Sequence, residues 1–200
     1  VKRIMKKNNS FLPVIAKIEK WEALDDIDNI ITNFDGVMVA RGDLGVEIPS
    51  AKVPIAQKKI AKLANKHGKP VIIATQMLES MITSQVPTRA EVSDIANSIF
   101  DSVDALMVTG ETAIGNYPIE VIKTLKEVIR LTESSLVQEK VFNPDEINKT
   151  SDAISHAVCQ ITKDLNINII MTMTHSGSTA RMISRYRPPS NVIALTPFNS

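Results

Sequence analysis

Four short apolar runs, each closing on a polar signature, constrain this 200-residue chain more than any other feature. They are Leu12–Glu19, Gly36–Asp43, Pro70–Gln76 and Ala105–Glu111, and their ends read Lys17-Ile18-Glu19, Arg41-Gly42-Asp43, Thr75-Gln76 and Thr109-Gly110-Glu111. The interiors are rich in Val, Ile and Met, which suits parallel strands buried on both faces. Helix-like segments separate them. Polar groups gathered at the carboxyl ends of successive β/α strands are how barrel enzymes build active sites. Two carboxylates, a lysine and hydroxyls at such ends point to metal-assisted chemistry on a phosphorylated or carboxylated small molecule.

The segments between the runs carry their own signals. Residues 1–8 read as the tail of a helix, and a second helix is expected over roughly 20–33. Asp35-Gly36 is a turn signal. A helix over about 52–67 shows the stripe Ala56, Ile60, Leu63 and Ala64, and His67-Gly68 with Pro70 closes it. Thr88 and Glu91 have capping-box spacing, so a helix should start there and run to about 100. Pro118 suits a first helical position. The buried face of the long helix after it is expected at Ile122, Leu125, Ile129, Thr132 and Leu136. A composition shift over 138–150 reads as a linker. Beyond it a helix (151–165), strand (168–174), helix (178–187) and strand (191–196) make a second α/β unit. The expected domains are therefore 1–138 and 139–200. A closed eight-stranded barrel takes about 250 residues, so four β/α units are half of one.

Composition narrows the partners. The formal net charge is +1, which offers no electrostatic footprint for nucleic acid or a membrane surface. The lone Cys159 excludes a disulfide framework and suits a reducing, cytoplasmic setting. No run approaches the ~20 apolar residues of a membrane helix, and no signal peptide is seen. The chain opens on Val1 before a basic stretch and stops at Ser200 just after a strand-like run, so it is expected to be a piece of a longer protein.

Each polar end has a plain reading beside the functional one. Lys17 and Glu19, two apart in a strand, project to one face; the alternative is a surface ion pair. Asp43 lies in the glycine-containing turn Arg41-Gly42-Asp43-Leu44-Gly45 and is a candidate to share a divalent cation with Glu19; the alternative is a solvated turn residue. Asp35 and Asp104 precede strands and read as turn residues, and Glu47 stays open. Thr75 and Thr109 offer hydroxyls for a carboxylate, a phosphate or a proton relay, or are ordinary β-branched strand residues. Thr174-His175-Ser176-Gly177-Ser178-Thr179 between a strand and a helix is either an anion loop or plain N-capping by Ser176 or Ser178. His67 reads as part of a cap and His156 as a solvated face.

Together these stretches resemble pyruvate kinase. Leu12-Pro13-Val14-Ile15-Ala16-Lys17-Ile18-Glu19-Lys20-Trp21-Glu22-Ala23-Leu24 is similar to that family's active-site lysine signature. Met38 to Glu47, Ala74 to Met81, Pro87 to Glu91 and Thr109 to Ala113 follow in the family's order and spacing. The resemblance covers essentially the whole chain. It implies a partial (β/α)8 TIM barrel, strands five to eight, followed by part of a second α/β domain. It also implies phosphoryl transfer from phosphoenolpyruvate to ADP, giving pyruvate and ATP in glycolysis. Lys17 would steady the moving phosphoryl group. Glu19 and Asp43 would hold Mg²⁺ or Mn²⁺. The backbone around Arg41, Gly42 and Asp43 and the Thr75 hydroxyl would bind the substrate carboxylate. Thr109, where relatives often have serine, would serve proton relay with Glu111 in support. Thr174, His175, Ser176, Gly177, Ser178 and Thr179 match the family's effector-phosphate loop. A K⁺ site would lie in the absent half. Thr88–Phe100 is similar to a helix at a subunit interface, implying a homo-oligomer, a tetramer in the parent. The isolated fragment is expected to be inactive. The alternatives are another Mg-dependent barrel enzyme of pyruvate or phosphoenolpyruvate chemistry, and a non-catalytic module that binds anions or self-associates.

Overall fold

A computed structural model describes residues 1–10, 12–136 and 149–198. They group into two compact units, one within Val1–Val137 and one within Gln138–Ser200. In the first unit, β1 (Ile15–Ile18), β2 (Gly36–Ala40), β3 (Val71–Ala74) and β4 (Ala105–Met107) form one parallel sheet in sequence order. The register pairs Lys17 with Met38, Val39 with Ile73 and Ala74 with Met107. Val37, Val39, Val71 and Ile73 are fully buried, which explains the unbroken apolar runs.

The amino ends of the strands are fastened by the two aspartates expected to be turn residues. The backbone N–H of Asp35 donates to Val14 O at 2.9 Å, and its carboxylate accepts from Val14 N–H at 2.8 Å. Asp104 repeats this clasp on Val71, at 2.9 and 2.8 Å. The Val14 bond, followed by Lys2, holds the Asp35 carboxyl below the usual range. Gly36 lies under Pro70: an added Cβ would fall 2.9 Å from Pro70 Cγ and 3.1 Å from Pro70 O. Gly36→Ala is therefore expected to destabilise the whole protein by about 1–3 kcal/mol, the usual cost of overpacking. Urea unfolding measures this; an unchanged midpoint would contradict the close approach.

Helices complete the unit. They are α1 (Lys2–Lys7), α2 (Trp21–Asp25), α3 (Ile27–Asn33), α4 (Arg41–Glu47), α5 (Val53–Lys66), α6 (Arg89–Phe100), α7 (Gly110–Ala113) and α8 (Pro118–Ser135). The helix expected over 20–33 is broken at Asp26, whose side chain accepts from Asn29 Nδ2 at 2.6 Å. Such local side-chain bonding competes with helix continuity. The second run stops being a strand at Ala40, so Arg41, Gly42 and Asp43 form the first turn of α4 rather than a loop. On α5, Ala56, Ile60 and Ala64 are buried as expected and Leu63 is half-buried, while Val53, Gln57 and Ala61 extend the buried face. Gly68 closes this helix with φ +60°. On α8 the buried positions are Val121, Leu125 and Thr132, and Ile122 is 50% exposed. The stripe follows i, i+4, i+11, and Ile122 lies one step, about 100°, outside it.

The second unit contains α9 (Thr150–Asp164), β5 (Ile169–Met173), α10 (Ser178–Ser184) and β6 (Asn191–Leu195), with β5 and β6 paired in parallel. Most of the expected linker, at 137–148, lies outside the described residues. Cys159, Ile170, Ile183 and Tyr186 make its core. Burial pushes the Cys159 thiol up to about 11, so it is an inert core group. His156, expected on a solvated face, is half-buried with its ring edge-on to Tyr186, centroids 5.5 Å apart. Among the described residues no helix is long and apolar enough to cross a membrane.

Candidate functional site

Lys17 lies in β1 and Glu19 just past its end, and the first turn of α4 brings Asp43 to them. The Lys17 ammonium pairs with Glu19 Oε2 in a close contact and with Asp43 Oδ2 at 2.8 Å. All three side chains are substantially exposed. The Asp43 bond, then the Glu19 bond, raises Lys17 above its usual range, and Lys17 in turn lowers the Asp43 carboxyl. Lys17 is therefore a permanent cation, and Asp43 a permanent anion, at neutral pH.

The two carboxylates also fit a divalent cation. One cationic atom already touches an oxygen of each, so their spacing suits a shared ion. Hard oxygens from one or two carboxylates, completed by substrate oxygens and water, are the usual protein share of a Mg²⁺ shell. Among the described residues no group of three or more His, Cys, Asp or Glu gathers in a metal-binding arrangement, so here the protein share would be these two carboxylates.

Beside this cluster, β3 ends in an unusual turn. Thr75 has φ +69° and Gln76 φ +55°, two successive non-glycine residues in the left-handed region. The Thr75 hydroxyl accepts from Gly42 N–H at 2.8 Å and donates to Ala74 O at 2.6 Å. A Cβ on Gly42 would approach Thr75 Oγ1 to 3.3 Å, so glycine permits this contact. Arg41, whose backbone is expected near substrate, sends its side chain inward, where it is 7% exposed. Its guanidinium donates to Thr75 O, Gln76 O and Asp94. A substrate role for Arg41 is left to its backbone.

Thr109 and Glu111 stand at the β4 end of the row, beyond β2 and β3. Glu111 is 3% exposed, and its two oxygens accept from Leu78 N–H at 3.1 Å and Thr109 N–H at 2.9 Å. It thus steadies the Thr109 backbone and ties β4 to the segment after β3.

The capping box at Thr88 forms as expected, and its Glu91 does more. Glu91 also accepts from Ser80 N–H at 2.8 Å and Ser80 Oγ at 2.6 Å. Burial alone would raise the Glu91 carboxyl; the Ser80 and Thr88 bonds outweigh it and hold it below its ordinary 4.5. A depressed carboxyl contributes stability that is present above the ordinary value and lost as pH falls through the folded one. Glu91→Gln is expected to flatten the loss of stability below about pH 5, read as urea midpoints from pH 7 to 3. An unchanged acid limb would contradict this.

In the second unit, Gly177 caps α10 with φ +75°, and no side chain caps that helix, so neither Ser176 nor Ser178 plays the capping role. Thr174 Oγ1 is buried and has no hydrogen-bond partner among the described residues. The His175 ring stands edge-on to Phe198 at 4.5 Å. Sequence reasoning missed Asp94 and the Ser80–Glu91 link. The capping box signalled Glu91; nothing local marked Asp94.

Comparisons with known proteins follow the same division. The family model described as pyruvate kinase, barrel domain, matches residues 1–122, and that described as pyruvate kinase, alpha/beta domain, matches residues 152–200. A pyruvate kinase of Thermotoga maritima is 50% identical over 196 residues, covering 98% of this chain and 42% of the relative. One of Clostridium acetobutylicum is 47% identical over 201 residues, with 98% and 42% covered. A crystal structure of a pyruvate kinase from Cryptosporidium parvum superposes with a TM-score of 0.80 at 40% identity, covering 94% of this chain and 39% of that one. The chain spans well under half the length of these relatives.

Proposed function

The chain belongs to the pyruvate kinase family, and from that premise we propose that the whole protein transfers a phosphoryl group from phosphoenolpyruvate to ADP, giving pyruvate and ATP. The observation that carries this reading is the Lys17 ammonium set between Glu19 and Asp43 at the carboxyl ends of the sheet.

Phosphoryl transfer asks for positioning and charge stabilisation more than for covalent chemistry. Lys17 supplies a fixed positive charge where negative charge spreads over the transferring group. Glu19 and Asp43 would hold Mg²⁺ or Mn²⁺, which when bound would neutralise negative charge developing on the reacting substrate. The first turn of α4, at Gly42 and Asp43, with the Thr75 hydroxyl, receives the three-carbon carboxylate. The Thr109 hydroxyl moves a proton at the enolpyruvate carbon, with its backbone held by Glu111. The family's K⁺ site, much of its nucleotide site and its lid would come from the part of the whole protein that this chain does not span, and the proposed activity is that of the whole protein.

The 174–179 loop supports a reading as an effector-phosphate site through the left-handed Gly177 and the Thr174 hydroxyl, which has no hydrogen-bond partner among the described residues. A homo-oligomer is part of the same proposal.

The test is an initial-rate assay of the whole protein with phosphoenolpyruvate, ADP, Mg²⁺ and K⁺. ATP formation abolished by chelation is expected. Loss of phosphoenolpyruvate without ATP would favour a different chemistry of the same substrate.

A further inference from the structure

Thr75 and Gln76 occupy a conformation that non-glycine residues, β-branched ones above all, seldom enter. Such backbone persists only where its surroundings over-determine it. Here one guanidinium holds both carbonyls of the turn. Arg41 donates from Nε and Nη2 to Thr75 O at 3.3 and 3.0 Å and from Nη2 to Gln76 O at 2.8 Å, with Met77 Sδ 3.2 Å away. Its Nη1 pairs closely with Asp94 on α6. The next residue along, Gly42, returns the contact by donating its N–H to the Thr75 hydroxyl. Two adjacent residues of α4 thus grip two adjacent residues after β3 from both sides.

We propose that Arg41 and Asp94 are a positioning pair for the carboxylate end of the site. Asp94 fixes the guanidinium, the guanidinium fixes the left-handed turn, and the turn sets the Thr75 hydroxyl against the Gly42 N–H. The planar fork of arginine fits two successive carbonyls, which a lysine ammonium cannot reproduce. Asp94 is the carboxylate that meets this buried cation; without it the guanidinium is left uncompensated and must reorganise. Neither side chain touches substrate in this account. The inference rests on the reading of Thr75 as a carboxylate ligand given above.

The experiment is steady-state kinetics of the whole protein and its Asp94→Asn variant, alone and in a Thr75→Val background. Asp94→Asn is expected to raise the KM for phosphoenolpyruvate about tenfold while the KM for ADP stays within about twofold. Asp94→Glu, which keeps the charge, should recover most of the loss. In the Thr75→Val background the Asp94→Asn effect should shrink below about twofold, because residues acting through one another are not additive. A general structural defect would lower kcat alone and add to the Thr75→Val effect, and that result overturns the proposal. So does an unchanged phosphoenolpyruvate KM. Where Asp94→Asn folds poorly, Arg41→Lys gives the same test with the same expected pattern. Failure of the functional reading shows separately, as a wild-type protein that forms no ATP. The pairing is then decided by the crystal structure of Asp94→Asn. Thr75 leaving the left-handed region supports it, and Thr75 and Gln76 both keeping positive φ overturns it.

Discussion

Lys17→Met in the whole protein is expected to cut turnover by about three orders of magnitude while substrate KM values change only a few-fold, the pattern of an interaction made mainly in the transition state. Lys17 is held charged by Asp43 and Glu19 and lies above its usual range, so it loses no proton anywhere near neutrality. Its charge is available at no cost when negative charge moves through the transferring group. The rate should show no inflection from this lysine between pH 6 and 9. The same substitution should tighten Mn²⁺ binding, because ammonium and metal compete for the same two carboxylate oxygens. Rate down and metal affinity up is a signature that misfolding does not produce. A variant with near-normal turnover would remove Lys17 from the mechanism.

Asp43→Asn is expected to weaken Mn²⁺ binding and raise the Mg²⁺ concentration for half-maximal rate by 10- to 100-fold, an order of magnitude taken from mutations at metal sites generally. The substitution keeps the shape of the side chain and removes one of two anionic donors. Asp43 is exposed and sits in the first turn of α4, so the change should leave folding intact. Titration of Mn²⁺ by electron paramagnetic resonance, beside the Mg²⁺ dependence of the rate, measures it. An unchanged metal requirement would mean that Asp43 is no ligand.

How much of this was legible in the chain differs from residue to residue. Lys17 and Glu19 could be placed together because the strand period is two and admits one register. The Thr88–Glu91 box could be read because both partners lie within one turn of helix. The four polar strand ends marked the edge where the candidate site is proposed. The inward course of the Arg41 side chain was hidden for a physical reason: the strand ends at Ala40, and the helical turn that follows swings the next side chain inward. Its partner Asp94 is 53 residues away, with no local mark to pair them. The positive φ of Thr75 and Gln76 was equally hidden, since neither residue type announces a left-handed turn. Ile122 was misplaced by one position, a shift that composition cannot detect in a helix with isoleucines on both sides of the stripe. Asp35 and Asp104 were assigned to the correct end of the sheet, but their bonds back to Val14 and Val71 depend on strand pairing.

The central claim is that the carboxyl edge of this sheet is a phosphoryl-transfer site built on Lys17, Glu19 and Asp43. Phosphorus-31 nuclear magnetic resonance of the whole protein with phosphoenolpyruvate, ADP and Mg²⁺ tests it most directly, run beside the Lys17→Met protein. The account predicts that the phosphoenolpyruvate signal falls in step with a rising ATP γ-phosphate, one for one, and that the variant leaves both nearly still. Release of inorganic phosphate in place of ATP, or equal progress in the variant, would contradict it.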